Sequence, residues 1–262
     1  ELVLGNLTDP LIYSILLRNF NNSGEVNLVA VDDGTASLDI LNTRIAGTFH
    51  RKYHVKNDLN FLVEYLKNGV FPPLKPSVKN IHFFTNSKVS QSPEGDQVTA
   101  NEYPLAKSVI KNSVVDQESA ILIGSNIVDK EMITASDFKE AISNSIVWLK
   151  ERGVKNIVYM PHRGEAHPPD FQNTADFHYT IVRNEYPLEI ELLLMDKKPA
   201  YILGLFTSAL LNLSQVVPAD INLVSYRVSS NSIHSKGRET VNWVSKIYDT
   251  IEADAKIVVI GD

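Results

Sequence analysis

Short runs of β-branched and aliphatic residues, each stopped by a polar or glycine-bearing turn and followed by a helical pattern, recur along the whole chain. Val26–Val31 ends abruptly at Asp32-Asp33-Gly34, and Ser119–Ile123 runs into Gly124-Ser125-Asn126. Lys155–Met160 delivers Pro161-His162-Arg163-Gly164-Glu165, and Tyr201–Leu205 leads to Phe206-Thr207-Ser208. Glu1–Leu4, Lys79–Thr85, Tyr179–Val182, Ile221–Tyr226 and Ile257–Ile260 read as further strands. Helical patterns cover Asp9–Arg18, Thr35–Ile45, Asn57–Asn68 and Ser136–Arg152. The last has Ser136 as N-cap, Asp137 and Glu140 in its first turn, and Lys150, Arg152 and Gly153 at its end. Apolar strands alternating with helices specify an α/β fold, because parallel strands need long crossovers and are buried on both faces.

Asn86–Gln97 is rich in Ser, Pro, Gly and Gln and divides two cycles of this grammar. The expected architecture is two Rossmann-type lobes with parallel sheets facing across a cleft, one over residues 1–115 and one over 116–262. Ligands in such sheets bind beyond the carboxyl ends of the strands. The chain opens at Glu1 inside a strand-like run, so further residues are expected upstream of the first lobe. A formal net charge of −6 argues against generic nucleic-acid binding, which needs a basic face. Cysteine is absent, which excludes disulfides and thiolate metal sites and suits a bacterial cytoplasm. Apolar runs such as Ile190–Met195 are too short to cross a bilayer.

Three clusters after strands carry potential chemistry. Asp32 and Asp33, adjacent and followed by Gly34, place acids at a sheet edge, where partial desolvation beside a second carboxylate would let one act as a base. The same three residues equally suit a tight turn and a helix cap. His162 with Arg163 combines a group that gives or takes a proton near neutrality with a fixed positive charge, which suits an anionic leaving group. Glu165 beside them reads as an ion-pair partner of Arg163, and His167-Pro168 as a competing histidine. Thr207-Ser208 opens an apolar helical stretch, where hydroxyls and unpaired N–H groups meet a single phosphate or simply cap the helix. Gly124-Ser125-Asn126 allows backbone approach to a nucleotide or sugar, and Glu189 at a helix start suits ribose hydroxyls. No glycine-rich dinucleotide fingerprint, P-loop or Gly-x-Ser-x-Gly elbow is present.

Asp-Asp-Gly, Pro-His-Arg and Thr-Ser-Ala-Leu, in that order and each after a strand, resemble the motifs of the bacterial sialyltransferases over residues 26–215. The likeness is greatest to the lipooligosaccharide sialyltransferases and their polysialyltransferase relatives. It implies a GT-B fold with an acceptor-side first lobe and a nucleotide-sugar-binding second lobe. The implied activity is inverting, metal-independent transfer of sialic acid from CMP-sialic acid to a glycan hydroxyl, with no cofactor. By the same resemblance Asp32 is the general base and His162 the general acid on the departing CMP phosphate. Thr207 and Ser208 hold that phosphate, and Gly124, Ser125, Asn126, Arg163 and Glu189 fall at the nucleotide and sugar.

The family motif has His followed by Pro, whereas His162 is followed by Arg163 and it is His167 that precedes a proline. His162 is preferred for its place at the strand end, and Asp32 over Asp33 likewise rests on the resemblance. The implied acceptor is a galactose- or sialic-acid-terminated surface glycan such as lipooligosaccharide or capsule. The implied setting is the cytoplasm, with peripheral association at the inner face of the plasma membrane and a homodimer among the expected partners. The alternatives are a GT-B enzyme using a nucleoside-diphosphate hexose, and a non-catalytic carbohydrate- or nucleotide-binding protein.

Overall fold

The computed structural model describes residues 2–4, 28–31, 45–46, 81–85, 95–205, 207–233, 244–245 and 248–261. The chain forms two compact units, Glu1–Glu102 and Tyr103–Asp262. The first contains a four-stranded parallel sheet of β1 (Leu2–Leu4), β2 (Leu28–Val31), β3 (Ile81–Thr85) and β4 (Gln97–Ala100), in that order. Ile81 and Phe83 are buried from alternate positions of β3. Asp96 caps the start of β3, its Oδ1 accepting the Ile81 N–H at 2.8 Å. The helices expected over Asp9–Arg18 and Asn57–Asn68 and most of Thr35–Ile45, like Asp32-Asp33-Gly34, lie outside the described residues.

β4 pairs with β3, so the polar stretch before it belongs inside the first unit and does not divide the two. The division falls after Glu102, thirteen residues ahead of the expected 115, because α1 (Pro104–Lys111) buries Ile110 in the second unit's core. Tyr103 turns the chain there with a left-handed φ of 47°, and Pro104 starts the helix where its missing N–H costs nothing.

The second unit is built on a six-stranded parallel sheet. Its strands are β5 (Val114–Ile123), β6 (Asn156–Met160), β7 (His178–Ile181), β8 (Lys197–Leu205), β9 (Asn222–Arg227) and β10 (Ile257–Gly261). Their order across the sheet is β10-β9-β8-β5-β6-β7, and every pairing is parallel. Side chains alternate between two cores, as the strand period requires. Ala120 and Leu122 of β5 join one, and Ile121 and Ile123 the other.

The first core is covered by α2 (Ala135–Lys150) through Phe138, Ile142 and Leu149. The second is covered by α1, α3 (Leu188–Leu194) and α4 (Ala209–Val216), through Ile110, Leu192, Leu210 and Leu213. Each such buried aliphatic side chain stabilises by about 1.5–3 kcal/mol, which fixes the sheet under its loops. α2 starts two residues earlier than a cap at Ser136 would place it. The cap is Thr134, whose Oγ1 accepts the Asp137 N–H at 3.1 Å, and Ser136 lies within the helix.

This arrangement creates one topological switch point. The chain leaves β5 through α2 toward one face and leaves β8 through α4 toward the other, although β5 and β8 are neighbours. Their outgoing loops therefore part at the carboxyl edge, the position where open α/β sheets take ligands. Among the described residues no helix is long and apolar enough to cross a membrane.

Candidate functional site

Gly124, His162 and Thr207 all follow the carboxyl ends of adjacent strands, β5, β6 and β8. His162 and Thr207 flank Gly124, about two strand spacings or ~10 Å apart by sheet geometry. The Gly124 N–H extends the ladder by donating to Met160 O at 2.8 Å. A Cβ on Gly124 would stand 2.8 Å from Tyr159 Oη and 2.9 Å from His162 N, and closer still to Glu165 Oε2. Glycine is required because the turn after β6 folds directly against the end of β5. Ser125 is buried and Asn126 half-buried beyond it, with Asn126 Cβ and Nδ2 alongside Gly164.

The Pro161–Glu165 turn is held from within. The Glu165 N–H donates to His162 O at 2.8 Å, and Glu165 Oε2 accepts the His162 N–H at 3.1 Å. Glu165 Oε1 accepts the Tyr159 hydroxyl at 2.6 Å. Glu165 is 3% exposed, and its carboxylate turns inward to these donors; the expected ion pair with Arg163 is not formed. Burial pushes the Glu165 carboxyl above its ordinary range, against the opposing hydrogen bonds from Tyr159 and His162. Arg183, at the end of β7, donates to Glu165 O at 3.2 Å. The longer loop beyond is tied down by the Tyr179 hydroxyl, which donates to Pro169 O at 2.9 Å, and by the Tyr179 N–H, which donates to Asn173 Oδ1 at 2.6 Å.

The His162 ring is half-buried, and its Nδ1 accepts the Gly164 N–H at 3.0 Å. An accepting Nδ1 places the ring proton on Nε2, so the neutral imidazole presents a donor there. Burial lowers the pKa of this imidazole, and the positive charges of Arg163 and Lys130 lower it further. Both cations are exposed, so the ring lies in a locally positive field within an acidic protein. His167 is exposed, two residues beyond the braced turn.

Thr207 and Ser208 stand at the start of α4, both half-buried. Thr207 Oγ1 accepts the Ala209 N–H at 3.3 Å, while the Ser208 side chain makes no cap bond. The Thr207 hydroxyl thus already accepts one N–H at the helix start, just ahead of the N-cap Ser208, and its own O–H hydrogen is left to donate. A Cβ on Gly204 would run into Thr207 Cγ2, so β8 turns under this threonine at close quarters. Glu189 lies in the first turn of α3, where its Oε1 accepts Asn212 Nδ2 at 2.8 Å and links α3 to α4. It shares the helix-covered face with α4, and one of its oxygens is committed to that link.

Comparison with family models, with curated proteins and with solved structures finds no match for this chain. Among the described residues no three histidine, aspartate or glutamate side chains cluster as a metal ion would need. Gly124, Ser125, Asn126, His162 and Arg163 gather at the ends of β5 and β6, and Thr207 and Ser208 at the end of β8. Asp32 and Asp33 lie outside the described residues. Sequence inspection missed Lys130, which approaches His162 from the loop after β5, and Tyr159, which is fully buried within a strand. Lys130 had no signal in its local pattern. Tyr159 had one, since a tyrosine inside an apolar strand must find a partner for its hydroxyl, and Glu165 is six residues away.

Proposed function

We propose that this protein is an inverting, metal-independent glycosyltransferase of GT-B type, moving sialic acid from CMP-sialic acid to a hydroxyl of a surface glycan. The observation that carries the proposal is the state of His162. It is a half-buried neutral imidazole with its proton on Nε2, set between Arg163 and Lys130 at a switch-point edge that also bears Thr207 and Ser208. CMP departs with one phosphate, and negative charge grows on the oxygen released from the sugar. A neutral N–H donor, two nearby cations and two hydroxyls at a helix start answer that charge in kind.

In this proposal His162 acts by donating a hydrogen bond from Nε2, and Thr207 and Ser208 hold the phosphate oxygens. The acceptor hydroxyl oxygen bonds to the anomeric carbon as the bond from that carbon to the phosphate oxygen breaks on the opposite face, which inverts the centre. The hydroxyl proton passes to Asp32, a role that comes from the resemblance of the Asp-Asp-Gly motif. Glu189 takes ribose hydroxyls through its uncommitted oxygen. A galactose- or sialic-acid-terminated glycan is the proposed acceptor, which places the enzyme at the inner face of a bacterial plasma membrane.

Nucleotide-dependent thermal stability tests the donor. A nucleotide at one hundred times its Kd adds about 2.7 kcal/mol to the stability of the fold that binds it. CMP is expected to raise the melting temperature more than UDP or GDP does, and Thr207→Ala is expected to reduce the CMP effect. A larger response to UDP would redirect the reading to a nucleoside-diphosphate hexose donor, and no response to any of the three would overturn it.

A further inference from the structure

The buried carboxylate of Glu165 touches both the core, at Tyr159, and the backbone of His162. Its two oxygens are used separately: Oε1 takes the Tyr159 hydroxyl at 2.6 Å and Oε2 takes the His162 N–H at 3.1 Å. Tyr159 is fully buried in β6 with its ring 6.0 Å from that of Tyr179, so it is a rigid anchor. The backbone closes the same turn, since the Glu165 N–H donates to His162 O. Gly124 leaves room for the carboxylate that any side chain would displace. Two residues of turn then separate His162 from Glu165, and within them the Gly164 N–H meets His162 Nδ1 at 3.0 Å. The bond that fixes the tautomer therefore exists only while the turn keeps this shape.

We infer that Glu165 is a positioning residue, whose carboxylate clamps the 162–165 turn between Tyr159 and the His162 backbone and so holds His162 in its Nε2–H tautomer. Its value to catalysis rests on the reading of His162 given above, but the tautomer itself does not. A carboxylate in this role must be desolvated, which agrees with burial raising its pKa. The charged groups facing the assembly are Arg163 and Lys130 at the imidazole, and Asp129 and Arg183 at Glu165. Neither cation at the ring forms part of the clamp, so removing the clamp leaves their field in place.

The test is ¹⁵N NMR of the imidazole in the full-length chain, with His162 assigned by its absence in His162→Gln. Wild type should show an acceptor-type Nδ1, a protonated Nε2 and a pKa below the ordinary 6.5. Glu165→Ala should mix the tautomers and bring the pKa up toward 6.5. Glu165→Gln should restore the wild-type signals, because its amide oxygen accepts the His162 N–H while its NH₂ donates to Tyr159 Oη. An Nδ1 signal and a pKa unchanged in folded Glu165→Ala would overturn the inference. Should that variant not fold, Tyr159→Phe, which alters hardly any volume, carries the same expectation, and unmoved His162 signals there overturn it equally. CMP release measured in parallel separates the two ideas. Shifted tautomers in a protein that never turns over CMP-sialic acid would uphold the clamp and remove the sialyltransferase reading.

Discussion

At His162 the lowered pKa favours the neutral ring, the form that the proposed donor role requires. Burial and two neighbouring cations hold the imidazole below its ordinary pKa, and protonating Nδ1 would break the bond from the Gly164 N–H. A group with a lowered folded pKa contributes stability that is complete above its unfolded value and is lost below it, as pH falls through the folded value. For His162 this puts the loss on the acid side of 6.5. Glu165 has the opposite sign, because its folded pKa is raised, and its contribution is lost as pH rises past the carboxylate range. The kinetic consequence is specific. If neutral His162 serves as an Nε2–H donor, kcat/KM for CMP-sialic acid should stay level from about pH 6.5 to 8. If the imidazolium were required, the rate would fall about tenfold per pH unit over that range. A pH–rate profile of wild type, compared with His162→Gln, separates these outcomes.

At the scale of elements, the loops carry the candidate site residues, and their anchorage is set by how each helix and strand begins and ends. α2 carries the crossover from β5 to β6 and so fixes the separation of Gly124 from His162. Its first turn depends on Thr134, so Thr134→Ala should lower the free energy of unfolding by about 1 kcal/mol. Ser136→Ala should change it by less than about 0.5 kcal/mol, since Ser136 is exposed within the helix. Urea unfolding followed by helical circular dichroism measures both, and equal effects would contradict the assignment of the cap.

The centre of each strand was legible because its aliphatic residues had no other use. The beginnings of β5 and β8 were not. β5 extends back to Val114 through Asp116-Gln117-Glu118-Ser119, where its register against β8 shifts and a bulge accommodates polar, exposed residues. β8 extends back to Lys197 across Lys198-Pro199, ahead of the expected start at Tyr201. The strand survives there because Lys198, 2% exposed, spends its ammonium on the carbonyl oxygens of Leu193 and Met195 at the end of α3. β4 escaped notice because Gln97–Ala100 lacks apolar alternation.

For the whole molecule, the alternation of strands and helices was enough to specify parallel sheets, and two of them are present. Strand order was not legible, because it depends on which face each helix takes, and amphipathic helices do not declare their face. The order found places β5 beside β8, turning three separate sequence motifs into neighbours along one edge. The Asp-Asp-Gly motif follows β2 of the other unit and is tied to the proposed function through resemblance alone.

The central claim is sialyl transfer from CMP-sialic acid, and CMP release in the presence of a galactoside-terminated acceptor tests it most directly. Acceptor-dependent release should proceed equally with and without chelator, and His162→Gln should slow it by about 10²-fold or more. No release with any galactoside or sialoside acceptor, or release that stops when divalent metal is removed, would contradict the account.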